Sequence, residues 1–137
     1  YLAKLSGPLI DRFDIVVEVP PVELAALSSS ARGESSSSVR ARVVAARERQ
    51  RERFGESGPT CNARMGPSDL DRFSPLAPST RQVLLAACER MGLSARGFDR
   101  VRRVARTLAD LDGVAEIEPR HVAEAVQYRR AAVLAGG

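Results

Sequence analysis

The chain has no tryptophan, a single histidine and two cysteines, and each shortage closes off a line of chemistry. Cys61 and Cys88 stand 27 residues apart with no second pair. That is too few for a disulfide scaffold or a zinc site of the paired-cysteine kind, and a reducing, cytoplasmic setting is expected. His121 is the only imidazole, so a Ser-His-Asp triad or a multi-histidine metal centre would have to be built around it alone. No metal site is expected. No apolar run approaches the ~20 residues that cross a bilayer, so no membrane span or membrane partner is expected either. A P-loop, a GxGxxG turn and a GxSxG elbow are all missing. No pair of carboxylates sits in a setting suited to acid–base work. By itself the sequence carries no catalytic machinery.

What is present suits one small domain. The chain has 137 residues, 44% of them hydrophobic, enough to bury a real core. It opens on Tyr1-Leu2-Ala3-Lys4, with neither a start Met nor a basic-then-apolar leader, and reads as a piece of a longer chain. The net charge is +4, and Lys4 is the only lysine among 21 basic side chains. Abundant Arg and Ala can reflect a GC-rich coding sequence alone. The excess is nevertheless local. Residues 40–53 hold Arg40, Arg42, Arg47, Arg49, Arg51 and Arg53 against Glu48 and Glu52. Such a patch serves phosphate or an acidic partner, or is one solvated helix face.

Asp14-Ile15-Val16-Val17-Glu18-Val19 closes on Pro20-Pro21 and predicts a strand. Its apolar run suggests burial on both faces, as in the parallel sheet of an α/β domain, so the partner strands must lie elsewhere. Residues 28–38 are a Ser-rich linker. A helix is predicted from about Ser38 to Arg53, capped by Ser36 or Ser37, with Val39, Val43 and Ala46 on one face. Gly55 to Pro67 reads as a loop, with a short turn at Ser68-Asp69-Leu70.

The next helix opens at Pro78-Ser79, carries Val83, Leu84, Ala87, Cys88 and Met91, and ends at Gly92. Ser94 caps another, whose stripe is Phe98, Val101, Ala105, Leu108 and Leu111 before Gly113. After a short extended piece, Val114 to Ile117, Pro119 starts a last helix to about Val133 with Val122, Ala125, Val126 and Arg129 at helical spacing. The expectation is a mainly α fold: a four-helix bundle over residues 39–134, preceded by a strand-containing α/β remnant over 1–27 and the linker 28–38.

Two arginine contexts stand out. Arg12, in Gly7-Pro8-Leu9-Ile10-Asp11-Arg12-Phe13-Asp14, stands at the entrance of the strand, at the rim of a sheet, where its planar fork could reach a neighbouring subunit's phosphate. From the residues alone, an ion pair with Asp11 or Asp14 is favoured. Arg96, in Leu93-Ser94-Ala95-Arg96-Gly97-Phe98, lies in the first turn of an amphipathic helix, near its positive end. Arg100 and Arg103 follow on the same face, pointing away from the core. The simpler role there is an exposed charged face paired with Asp99 or an acidic neighbour.

Read in order, the phrases "LSGPLIDRFDIVVEVPPV", "GESSSSVRARVVAARERQRERF", "NARM", "LSARGFDRVRRVARTLADLDG" and "EPRHVAEAVQYR" change that weighing. Together they resemble the C-terminal part of the magnesium-chelatase-related AAA+ ATPases, in their ComM/YifB-like bacterial branch, from Tyr1 to about Arg130. Ile10 stands for the family's usual Leu, Leu108 for its usual Ile, and the serine run 35–38 is long.

The resemblance implies a hexameric ring with ATP and Mg²⁺ held between subunits in the full-length parent. Arg12 matches the arginine finger, acting in trans on the γ-phosphoryl group, a contribution of roughly 10³–10⁵ in rate. Arg96 matches the sensor-2 arginine of the helical lid, acting in cis on the nucleotide. Arg42, Arg47, Arg49, Arg51 and Arg53 are candidate contacts with DNA or a neighbouring subunit. The Walker motifs would lie upstream, so the parent is expected to be an ATPase and this piece a monomer, inactive alone and with no bound cofactor.

The branch implies ATP-driven remodelling of DNA, a branch-migration or helicase-like motor in transformation or recombination. One alternative is the ATPase subunit of a magnesium-chelatase-type metal-insertion complex. Another is a stand-alone helical module binding DNA or protein. The remaining residues have simpler expectations. His121 reads as a helix cap or surface group, Cys61 as a loop thiol and Cys88 as a core residue. The scattered Phe and Tyr residues form no base-stacking platform.

Overall fold

The computed structural model describes residues 12–21 and 33–135, with side chains as far as Arg129. Five helices follow one another there: α1 (Ser36–Phe54), α2 (Pro67–Phe73), α3 (Pro78–Met91), α4 (Ala95–Asp112) and α5 (Pro119–Ala135). A 3₁₀ turn at Asn62–Arg64 lies between α1 and α2. The fold is the mainly helical one expected, with one helix more.

Helix α1 starts earlier than predicted. The Ser35 hydroxyl accepts the Ser38 N–H at 3.2 Å and so satisfies one of the donors that a helix start leaves open. Ser36 to Ser38 therefore form its first turn instead of a linker. The buried face also differs from the expected one. Ala46, Gln50 and Phe54 are buried, whereas Val39 and Val43 are 40% and 47% exposed, because α1 meets the bundle through its C-terminal half. Helix α2 grows from what sequence suggested was a turn. Pro67 occupies its first position, and Asp69 Oδ2 accepts the Gly66 N–H at 2.9 Å.

The three later helices fall where periodicity and punctuation put them. Ser94 Oγ accepts the Gly97 N–H at 3.2 Å to start α4. Gly92 and Gly113, at φ 60° and 75°, end α3 and α4 in the left-handed region that glycine enters without steric cost. At Gly113 a side chain would also meet Arg49, whose Nη2 lies 2.9 Å from where a Cβ would stand.

Helix α4 is central, packed against α5, α1, α3, α2 and the 3₁₀ turn. Leu84, Ala87 and Cys88 of α3, Val101, Val104, Ala105 and Ala109 of α4, and Val122, Ala125 and Val126 of α5 form the main core, with Ile117 beneath them. A second, smaller core joins Phe54, Met65 and Leu70, with Phe73 edge-on to Phe54 at 5.1 Å between ring centroids. His121 is a cap, as expected, but is buried rather than on the surface. Its Nδ1 accepts the Glu118 N–H at 2.9 Å, and its Nε2 lies 3.1 Å from Asp112 Oδ2.

Residues 12–21 have no regular structure, and no strand is present among the described residues. Ile15, Val17 and Val19 are 51%, 62% and 83% exposed, where the sequence suggested burial on both faces. A strand buries its faces only within a sheet, and no partner strand is described. Asp11, Ser28 to Ser30 and most of the expected 1–27 segment lie outside the described residues.

Candidate functional site

Five arginines ride on α4, and the fold treats them differently. Arg102 is buried and closes off the end of α2. Its Nε donates to the Ser74 carbonyl and its Nη2 to the Leu70 carbonyl, both at 2.8 Å, while Nη1 meets Asp71 Oδ1 at 2.9 Å. The Leu70 carbonyl also accepts the Ser74 N–H at 2.9 Å, so Arg102 adds a second donor there, and a cation is favoured at this end by the helix dipole. Arg106, also buried, donates to the carbonyls of Val114 (2.9 Å) and Ala115 (2.6 Å) and pairs with Asp110. Burial pulls its guanidinium below the usual arginine range; the Asp110 charge opposes that shift, and the like charge of Arg53 adds to it.

Arg100 and Arg103 lie on the face expected to point away from the core, yet both are engaged within the chain. Arg103 Nε donates to the Met65 carbonyl at 2.9 Å. Arg100 Nη1 reaches Asp14 Oδ1 at 2.9 Å and the Arg12 carbonyl at 2.5 Å. Asp14 thus pairs with Arg100, so the acidic partner of this row is Asp14 and not Asp99, and no Asp14–Arg12 pair is found among the described residues. Arg96 is exposed in the first turn and, alone of the five, has no bonded partner among the described residues.

The Arg12 side chain is likewise exposed, while its backbone is held against α4. The Arg12 carbonyl is thus bonded to Arg100, which follows Arg96 by one turn along α4. Beside it, a mostly apolar cavity of about 410 Å³ opens between Ile15 and Val17 on one wall and Val104, Leu108 and Leu111 on the other. Arg64, on the 3₁₀ turn, is exposed next to the Met65–Arg103 contact. Sequence reasoning did not single it out.

The run on α1 divides along its length. Arg53 is drawn into the bundle, its Nη2 paired with Asp110 Oδ1 and its Nη1 3.1 Å from Asp110 Oδ2 and 3.2 Å from Asn62 Oδ1. Arg49 Nη1 donates to the Asp110 carbonyl at 3.2 Å. Asp110 is fully buried and also accepts from Asn62 Nδ2 at 2.8 Å. Two of the five candidate DNA or subunit contacts are thus occupied in holding α1 to α4.

Arg42 and Arg51 remain exposed with local partners, Glu34 at 2.8 Å and Glu48. Arg47 is exposed and donates to Gln50 Oε1 at 3.2 Å. It also touches the Cys61 thiol. Burial pushes that thiol's pKa up, but the hydrogen bond from Arg47 and the N–H groups of Ala63 and Arg64 outweigh it and hold the value below the usual one. Cys88, in the core as expected, is pushed up by burial.

Among the described residues no helix is long and apolar enough to cross a membrane. None of their His, Cys, Asp and Glu side chains gather in threes as a metal site would require.

The architecture defines a small helical domain built around one arginine-rich helix. Residues 33–129 match the family described as magnesium chelatase, subunit ChlI C-terminal, and the chain belongs to that family. It is 40% identical over 130 residues to competence protein ComM of Haemophilus influenzae, and 40% identical over 130 residues to the uncharacterized protein YifB of Escherichia coli. Each alignment covers 94% of this chain and 25% of the relative. The uncharacterized protein Rv2897c of Mycobacterium tuberculosis is 42% identical over 131 residues, covering 95% of this chain and 26% of its own length. The chain thus spans about a quarter of these curated relatives.

Proposed function

We propose that this domain is the helical lid of a ring-forming, magnesium-chelatase-like AAA+ ATPase that couples ATP hydrolysis to the remodelling of DNA. Arg96 acts in cis as the sensor on the nucleotide phosphates, and Arg12 acts in trans as the finger on the neighbouring subunit's γ-phosphoryl group. The observation that carries this reading is selective exposure. The other four arginines of α4 are consumed by contacts within the chain, while the two matching the family's phosphate-binding positions present their guanidinium groups to solvent.

Arg96 and the open first turn of α4 suit the triphosphate of ATP. With no acidic cluster among the described residues, Mg²⁺ would be held by the nucleotide and by groups beyond them. ATP bound there supplies the scissile phosphoanhydride. The part of this chain is to place two fixed positive charges where negative charge develops, which stabilises the transition state more than the ground state.

The test is the ATPase rate of a protein carrying this domain with its nucleotide-binding core, with and without branched or single-stranded DNA, beside Arg12→Ala. Stimulation by DNA that disappears in Arg12→Ala is the expected result. An Arg12→Ala rate equal to wild type would refute the finger. The family match to a chelatase subunit supports a second reading, the ATPase of a metal-insertion complex, and turnover indifferent to DNA would favour it.

A further inference from the structure

The segment that carries Arg12 supplies almost none of its own shape. Residues 12–21 form neither helix nor strand, and their position comes from α4 and α5. Arg100 Nη1 donates to the Arg12 carbonyl at 2.5 Å and to Asp14 Oδ1 at 2.9 Å. Arg129 Nη1 donates to the Phe13 carbonyl at 2.5 Å, and the Tyr128 carbonyl accepts the Val16 N–H at 3.2 Å. Successive backbone groups are therefore gripped by two helices that share the main core. The Arg100 side chain is only 19% exposed, although its partner Asp14 is 42% exposed, and both of its bonds are charge-assisted. The Arg12 guanidinium itself stays outside the grip. A held backbone with a projecting side chain is the arrangement of a presented group.

We propose that Arg100, backed by Arg129, is the positioning residue for Arg12 and ties the finger to the α4–α5 pair. The proposal rests on the finger reading above. Arg96 lies one turn before Arg100 on the same helix, so a displacement of α4 that moves the sensor also moves the finger. Through α4, the nucleotide site a subunit closes is linked to the site it completes on its neighbour.

Two measurements test this. In the 137-residue chain, hydrogen exchange of the Val16 amide reports the grip. Arg100→Ala is expected to speed it about tenfold or more, the loss of a charge-assisted bond, while the amides of α4 keep their protection. Asp14→Asn, which alters no residue of the bundle, is expected to move it the same way. In the ATPase carrying its core, Arg100→Ala is expected to lower kcat about tenfold with KM for ATP unchanged, and Arg100→Lys to recover part of the loss.

Val16 exchange unchanged in both variants would overturn the grip. A wild-type kcat in Arg100→Ala, where Arg12→Ala is inactive, would overturn the positioning role. Should Arg12→Ala itself retain full activity while Val16 exchange rises in Arg100→Ala, the finger reading falls, the positioning role falls with it, and the contact is only a structural tie.

Discussion

Helices α1 and α4 look alike in composition, each long, basic and rich in arginine, yet the fold uses them in opposite ways. On α4 every arginine but Arg96 is engaged within the chain. Arg102 and Arg106 are buried to the level of core residues and satisfy four backbone carbonyls of other segments. On α1 most stay outside, and only Arg49 and Arg53, at the end nearest the bundle, reach α4. Arginine content does not separate the two cases. The deciding factor is an acceptor within reach of the side chain: the carbonyls at the end of α2, those of the turn after Gly113, or the carboxylate of Asp110. An arginine that finds one becomes part of the frame, and one that does not remains a surface charge.

The sharpest way to break this contrast is to remove the acceptor both helices share. Asp110→Ala leaves Arg53 and Arg106 facing a buried, uncompensated site, and a loss of about 3–5 kcal/mol is expected in denaturant unfolding. That is a large fraction of the stability of a domain this size, so the variant would sit close to the unfolding threshold. A cost below 1 kcal/mol would mean that the buried arginines find other partners and that the contrast is overstated.

A smaller effect is expected from Arg102→Met, which keeps the apolar stem but takes the side-chain donors from the Ser74 carbonyl and from the Leu70 carbonyl, the latter keeping only the Ser74 N–H. It should cost about 2–3 kcal/mol and loosen α2 first, visible as faster exchange of its amides. The smallest effect sharpens the comparison from the other side. Arg51→Ala removes an exposed pair with Glu48 and should change stability by less than about 0.5 kcal/mol. A loss comparable to that of Arg102→Met would show that α1 is held by more than its C-terminal end.

The helices of the larger core were legible in sequence because local signals agree there. Ser94, Gly92, Gly113 and Pro119 punctuate segments whose apolar residues repeat at helical spacing, and most of those residues are buried or half-buried, Val83 and Leu111 (39% exposed each) excepted. The buried arginines were not legible. Pattern reading sorts Arg with the surface, although Arg102, Arg106 and Asp110 follow one another at i, i+4 and i+8 beside the apolar row Val101, Ala105 and Ala109. That row was the available signal. Nothing local announces that Asn62 Nδ2 will meet Asp110, because the two stand 48 residues apart.

Val39 and Val43 misled for a related reason. Their spacing suits a buried face, but α1 approaches the bundle only through its C-terminal half, from Ala46 to Phe54. Arg12 and Arg96 were legible as chemistry only through resemblance, since an exposed arginine looks the same in sequence whether it meets phosphate or water.

The split between the two cores bears on how the molecule comes apart. Phe54, Met65 and Leu70 pack on Phe73 separately from the apolar interior of α3, α4 and α5, and polar bonds through Asp110 and Arg102 join the two. Such a joint can part without uncovering the larger interior, so a partial opening that costs the buried bonds of Asp110 and Arg102 is expected below the global one. The end bearing the arginine run would breathe on its own clock. The α4–α5 pair that grips Arg12 would stay closed until the whole domain melts.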